Sequence, residues 1–251
     1  MTEQLTAPGV AAPAGFPHCS RCAYLASGPV SVCAACARAL ISATASASCP
    51  ACAQRLRQDG RCPNELCRSP ARRIGRIRAL GYQEGALRRA IISHKYRGAR
   101  SMSMVLGRLL LAFLDGNVAA DPPDLIVANP GFAGPDGQRF GHAEAVLAAA
   151  AQADTAGRWP FDIGSPPAIV KVLPTLKSAE TPAWSKRSIR YELRDALRIP
   201  EPDRTRGKYV LVYDDICTTG TQLDVVAGCL LDEGGAARVE AVVLARAPWR
   251  G

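Results

Sequence analysis

Apolar positions along this chain change their spacing several times, and each change marks a new element. RIRALGY alternates apolar and polar residues and predicts a strand. From Gly85 to Lys95 the apolar residues Leu87, Ile91 and Ile92 fall at helical spacing, and a second helix is predicted from Ser103 to Leu114. DPPD introduces a short apolar run, DLIVANP, which reads as a strand ending in a Pro-Gly loop. RFGHAEAVLAAAAQA returns to helical spacing and AIVKVLP to strand. Val210, Leu211 and Val212 form a further strand. Leu223, Val226, Ala227 and Leu230 then mark a helix stopped by Gly234 and Gly235, and Val239 to Ala245 reads as another strand. Alternation of strand and helix from residue 121 onward predicts an α/β fold, a parallel sheet with helices on both faces.

Chemistry concentrates where one strand ends. In VLVYDDICTTGTQ the apolar run stops at two carboxylates, Asp214 and Asp215, and Thr218, Thr219, Gly220 and Thr221 follow. A strand-loop-helix-strand unit places that loop at the carboxyl edge of a parallel sheet, where ligands bind. A helix start carrying threonines and a glycine offers free N–H groups, hydroxyls and a positive dipole end, which suits a phosphate. Two carboxylates repel a phosphate, so their partners are hydroxyls or a magnesium ion. The plainer alternative is an N-capped helix, with Thr218 or Thr219 as the cap.

Eight of the ten cysteines fall between residues 19 and 67, as CSRC, CAAC, CPAC and CPNELC. Paired thiolates on tight turns match tetrahedral zinc, and eight ligands suit two ions. A sequential assignment puts Cys19, Cys22, Cys33 and Cys36 on one ion and Cys49, Cys52, Cys62 and Cys67 on the other; an interleaved cross-brace fits the spacing too. A disulfide scaffold lacks a supporting signal peptide, and no iron–sulfur spacing is present. Cys229 reads as a core residue. Cys217 reads as packing within the loop, although a helix start can lower a thiol pKa there.

Charge and length complete this reading. Between residues 50 and 110 stand fourteen Arg and Lys against three acidic residues, while the whole chain is +9. That basic stretch is a candidate nucleic-acid face or a lining for pyrophosphate, with only Tyr82 and Tyr96 available for stacking. No run reaches the length of about eighteen apolar residues that a membrane span needs, and the start is a poor signal peptide, so a cytoplasmic location is expected. The 251 residues suffice for an α/β domain and a small appendage.

The strand, acidic pair and Thr-Thr-Gly loop of residues 210–221 resemble the phosphoribosyl pyrophosphate (PRPP) signature of type I phosphoribosyltransferases. With the cysteine-rich start, ALGYQEG, LRRAI, HKYRG and RFGHAE in this order, the chain resembles the ComF family of amidophosphoribosyltransferase-like proteins, some of them linked to DNA uptake. The resemblance implies a disordered tail (1–17), a zinc-binding module (18–70) and a type I phosphoribosyltransferase core (76–248). It further implies that Asp214 and Asp215 bind the ribose hydroxyls and that Thr218, Thr219, Gly220 and Thr221 bind the 5′-phosphate. The loop of Asn129, Pro130 and Gly131 would contact pyrophosphate through backbone groups, magnesium would accompany PRPP, and Arg139, Lys186, Arg187 and Arg190 are candidate cations. QRFGH stands where the family has Arg-Gly-Phe-Asn-Gln, and Thr181 and Glu192 stand where it has Gln and Asn. Three function classes follow: a PRPP-dependent transferase, a PRPP-binding protein without turnover, and a zinc-module protein acting on single-stranded DNA or with the competence machinery.

Overall fold

The computed structural model describes residues 48–96, 101–132, 141–175 and 186–249, without the side chains of residues 86, 96, 101 and 186–188. The expected tail, Cys19, Cys22, Cys33, Cys36, Arg139, Thr181 and the side chains of Lys186 and Arg187 therefore lie outside the described residues. The elements are β1 (Ile77–Tyr82), α1 (Gly85–Tyr96), α2 (Ser101–Asn117), β2 (Leu125–Ala128), α3 (His142–Ala153) and β3 (Val170–Lys171). They continue with α4 (Lys186–Ala196), β4 (Leu197–Arg198), β5 (Tyr209–Cys217), α5 (Thr221–Asp232) and β6 (Arg238–Arg246).

Four strands form one sheet in the order β1-β6-β5-β2, and every neighbouring pair is parallel. Both faces are covered, which is why the strands read as nearly continuous apolar runs. Leu211, Tyr213, Val242 and Leu244 pack with Leu87, Ile91, Leu106, Leu110 and Leu147 of α1, α2 and α3. On the other face Val210, Val212, Ala241 and Val243 pack with Ile189, Leu193, Leu223 and Leu230 of α4 and α5, and with Cys49, Cys52 and Leu66. The cysteine segment is thus part of this second core. Each such Leu or Val side chain contributes about 1.5–3 kcal/mol on burial.

Two expectations need correction. AIVKVLP does not join the parallel sheet: only Val170 and Lys171 are strand, paired antiparallel with β4. The edge beside β2 is already taken, because Ile126 N donates to Pro160 O (2.8 Å) and Asp162 N donates to Ile126 O (2.7 Å). Nor does β5 stop at the acidic pair; Asp214 pairs with Val243 and Cys217 with Arg246. Backbone pairing with an equally long β6 carries the strand through both carboxylates. Among the described residues no helix is long and apolar enough to cross a membrane.

Candidate functional site

Because β2 and β5 are neighbours, the chain segments beyond them meet at one sheet edge. Asn129, just past β2, donates its N–H to Tyr213 O (2.7 Å) and its side-chain Nδ2 to Asp214 Oδ2 (3.0 Å). Asp214 Oδ1 accepts from the Asp215 N–H (2.8 Å). Asp215 is 1 % exposed; its Oδ1 accepts from the Tyr213 hydroxyl (2.9 Å) and its Oδ2 lies 3.2 Å from Lys95 Nζ in the last turn of α1. The two carboxylates are therefore inequivalent. Asp215 is committed to an internal ion pair, whereas Asp214 is half-buried. Burial, then the charge of Asp215, pushes the Asp214 carboxyl up to about 7, against the pull of Lys95 and Asn129.

Beyond the pair, Thr218 is exposed and Thr219 and Thr221 are half-buried. Gly220 N-caps α5 with φ +85°, a left-handed conformation that favours glycine, and makes no side-chain cap. Thr219, one residue before the N-cap, makes a local turn bond: its Oγ1 accepts from Thr221 N–H (3.3 Å) and lies 2.9 Å from Thr221 Oγ1. Neither Thr218 nor Thr219 occupies the N-cap position, which is Gly220. Across the edge Pro130 is buried and Gly131 exposed. Gly131 N–H donates to Glu144 Oε1 (3.1 Å), and burial raises the Glu144 carboxyl pKa. His94 Nε2 donates to the His142 carbonyl (3.1 Å), and burial, followed by the charges of His94 and Lys95, lowers the His142 pKa.

Sequence reasoning missed Lys95, Asn129 as a side-chain donor, Glu144 and the pairing of His94 with His142. Lys95 lies within HKYRG and Glu144 within RFGHAE, but helical spacing did not tell which polar residue turns toward the sheet edge. Arg190 is paired within the fold: its Nη2 lies 2.5 Å from Asp224 Oδ2 on α5, and Asp224 Oδ1 also accepts from the N–H groups of Arg73 (2.7 Å) and Ile74 (3.0 Å). With its guanidinium held by the fully buried Asp224, Arg190 clamps α4 to α5. A cleft of about 390 Å³ beside β2, lined in part by Met104, Val127, Glu144 and Ile163, includes no residue from 214 to 221.

The cysteines make a second centre. The sulfurs of Cys49, Cys52, Cys62 and Cys67 all lie within 4.8 Å of one another, and these cysteines can hold a metal ion. Cys49 and Cys67 Sγ are 3.9 Å apart, and Cys52 and Cys62 Sγ 3.7 Å. A tetrahedral ion with sulfur bonds of about 2.3 Å requires sulfurs about 3.8 Å apart, so the cage fits a zinc-sized ion. All four are free thiols, as zinc binding requires and a disulfide scaffold does not. The set is the second group of the sequential assignment.

Arginines surround this cage. Arg246 is 0 % exposed, yet its Nη1 meets Cys217 Sγ at 2.5 Å and its Nη2 lies 3.9 Å from Cys52 Sγ. Arg72 Nη1 lies 3.9 Å from Cys67 Sγ. A buried guanidinium needs negative charge nearby, and four thiolates around a divalent ion leave a net charge of about −2. Cys217 itself is not activated: burial pushes its thiol up to about 12. Cys229, 0 % exposed, is a core residue as expected.

Part of the basic stretch is engaged within the fold. Arg73 pairs with Asp232, Arg78 with Glu240 and Arg55 with Glu84 (3.9 Å), while Arg72 donates to the carbonyls of Ile74 (2.7 Å) and Ala51 (2.9 Å). Comparison with known proteins finds no family model and no curated protein that matches the chain.

Proposed function

We propose that this protein binds PRPP with magnesium at the β2–β5 edge and transfers the phosphoribosyl group from C1′ to a nitrogen base or amine. The observation that carries this reading is the junction itself. A threonine-glycine loop opening α5, a carboxylate pair and the Asn129–Gly131 segment lie together, linked through Asn129 to Asp214 and through Gln222 Nε2 to Asn129 Oδ1 (3.3 Å). In this reading the N–H groups and hydroxyls of residues 218–221 hold the 5′-phosphate. Asp214 accepts from a ribose hydroxyl. Asp215, positioned by Lys95 and Tyr213, keeps that carboxylate edge in register, and Lys95 adds positive charge beside the ring.

Transfer breaks the bond from C1′ to the pyrophosphate oxygen, and the electron pair leaves with pyrophosphate. The acceptor nitrogen forms the new bond to C1′ and gives its proton to solvent. Gly131 N–H faces the departing group once Glu144 releases it, and fixed donors there stabilise the developing charge. Magnesium bound with PRPP would supply charge neutralisation of the pyrophosphate. The resemblance to the ComF family belongs to this proposal, as does zinc in the four-cysteine cage as a structural ion.

Calorimetric titration with PRPP and magnesium, followed by pyrophosphate release against a panel of bases and amines, tests the reading. Micromolar binding with base-dependent release is expected. Absence of PRPP binding would sink it, and binding without release would leave a PRPP-binding protein without turnover.

A further inference from the structure

We infer that the four-cysteine cage and the threonine loop act as one coupled unit, with Asn64 as the positioning residue that joins them. This rests on the phosphate-loop reading above for the ligand, although the coupling itself has a readout that needs no ligand. Asn64 lies between the ligands Cys62 and Cys67 and is 2 % exposed. Its Oδ1 accepts from Leu66 N–H (3.2 Å), capping the 3-10 turn Glu65–Arg68, while its carbonyl accepts from Cys67 N–H (3.1 Å). Its Nδ2 donates to Thr219 O (2.9 Å). One side chain thus closes the turn that aims Cys67 and grips the loop that opens α5.

Packing reinforces this tie. A Cβ added at Gly220 would stand 3.1 Å from Leu66 Cδ2, 3.1 Å from Ile77 Cδ1 and 3.6 Å from Cys217 Sγ. The loop therefore rests on the cysteine segment, and its glycine is required on the underside as well as by its φ. The other cysteine pair reaches the loop by a separate route. Cys49 N–H donates to Gln54 O (2.7 Å), Gln54 Nε2 donates to Ala247 O (3.0 Å), and Ala247 N–H donates to Cys217 O (2.9 Å). Cys49 is thus fastened to one end of the loop through Gln54, and Cys67 to the other through Asn64.

A metal in the cage holds these two fastenings at a fixed separation. Without it, four sulfurs, those of Cys49 and Cys52 buried and those of Cys62 and Cys67 half-buried, have only weak thiol contacts to keep the two turns together, and the loop loses its floor. Coupling of this kind is reciprocal: an ion that orders the loop favours the anion, and an anion on the loop raises the affinity for the ion by the same factor. Breaking one neutral hydrogen bond of the tie corresponds to a change of roughly tenfold.

The test uses the full chain with its bound metal. Asn64→Asp keeps an oxygen for Leu66 N–H and replaces the donor facing Thr219 O with a second oxygen, so the turn is retained and the tie is lost. The variant should keep wild-type zinc by elemental analysis, while amide hydrogen exchange at residues 218–222 accelerates by about tenfold or more. Stripping zinc from the wild type should accelerate the same amides. PRPP with magnesium should slow chelator extraction of zinc from the wild type and lose that effect in Asn64→Asp, a response that general destabilisation would not produce. If the wild type binds no PRPP yet shows both exchange changes, the coupling stands and the ligand reading falls. Unchanged exchange at 218–222, in the variant or in the zinc-stripped wild type, overturns the coupling. So does loss of zinc from Asn64→Asp with loop protection intact.

Discussion

Asp214→Asn should cross the wild type in stability between pH 5 and pH 8. The folded protein holds this carboxyl near 7 because burial and the Asp215 charge disfavour ionisation, whereas an unfolded chain releases the proton near 4. Between those values the folded state carries the extra proton. Stability from this group is fully present below about pH 4 and is lost as pH rises through about 7. Three pH units at about 1.4 kcal/mol each set a ceiling of about 4 kcal/mol, and partial exposure together with coupling to Asp215 brings the working figure to about 2 kcal/mol. The amide has its own cost. It can accept from Asp215 N–H or from Asn129 Nδ2, which now lie 2.8 and 3.0 Å from separate oxygens, and one of these bonds is lost for about 1 kcal/mol.

At pH 8 the variant should therefore be about 1 kcal/mol more stable than the wild type, a gain of about 2–4 °C in Tm. At pH 5 the unfolded chain has already released its proton and about a third of this stability is gone, so the variant should be less stable by only a few tenths of a kcal/mol, the full deficit of about 1 kcal/mol appearing at pH 4 and below. Urea unfolding at unit pH steps, without magnesium or ligand, measures the difference directly. A difference that keeps one sign and size across the range would refute the account of Asp214. The same substitution should weaken PRPP binding about ten- to a hundred-fold, through loss of a charge-assisted hydrogen bond.

Asp215→Asn should behave differently, destabilising by about 3 kcal/mol because Lys95 is left beside an uncharged, fully enclosed partner. Urea unfolding checks it, with Lys95→Met in the same chain recovering part of the loss; wild-type stability in the single variant would remove Lys95–Asp215 as a structural pair. Gly220→Ala should cost about 1–2 kcal/mol from its positive φ, plus displacement of Leu66 and Ile77. Thermal melts measure that cost, and Leu66→Ala should relieve the crowding but not the backbone strain.

Sequence alone determined most of the local structure. The spacing of Leu87 and Ile91, of Leu223, Val226 and Leu230, and the apolar runs at 125–127, 210–212 and 239–245 report backbone period and burial, which are local properties. The cysteine pairs marked a candidate metal site for the same reason, since two thiolates on one turn form a chelate wherever that turn lies. The acidic pair and Thr-Thr-Gly loop were visible as neighbours in one stretch of chain. What the sequence could not assign were partners remote along it. The β1-β6-β5-β2 order brings Asn129 to Asp214 and Lys95 to Asp215, and it gives the two carboxylates different environments although they are adjacent. Strand length was likewise decided by the partner, since β6 carries β5 past both charges to Cys217. Asn64 and Thr219, 155 residues apart, meet only because the cysteine segment packs on the sheet face that α5 covers. Hydrophobic patterning says which side of an element is buried; the packing of elements against one another decides which side chains share that space.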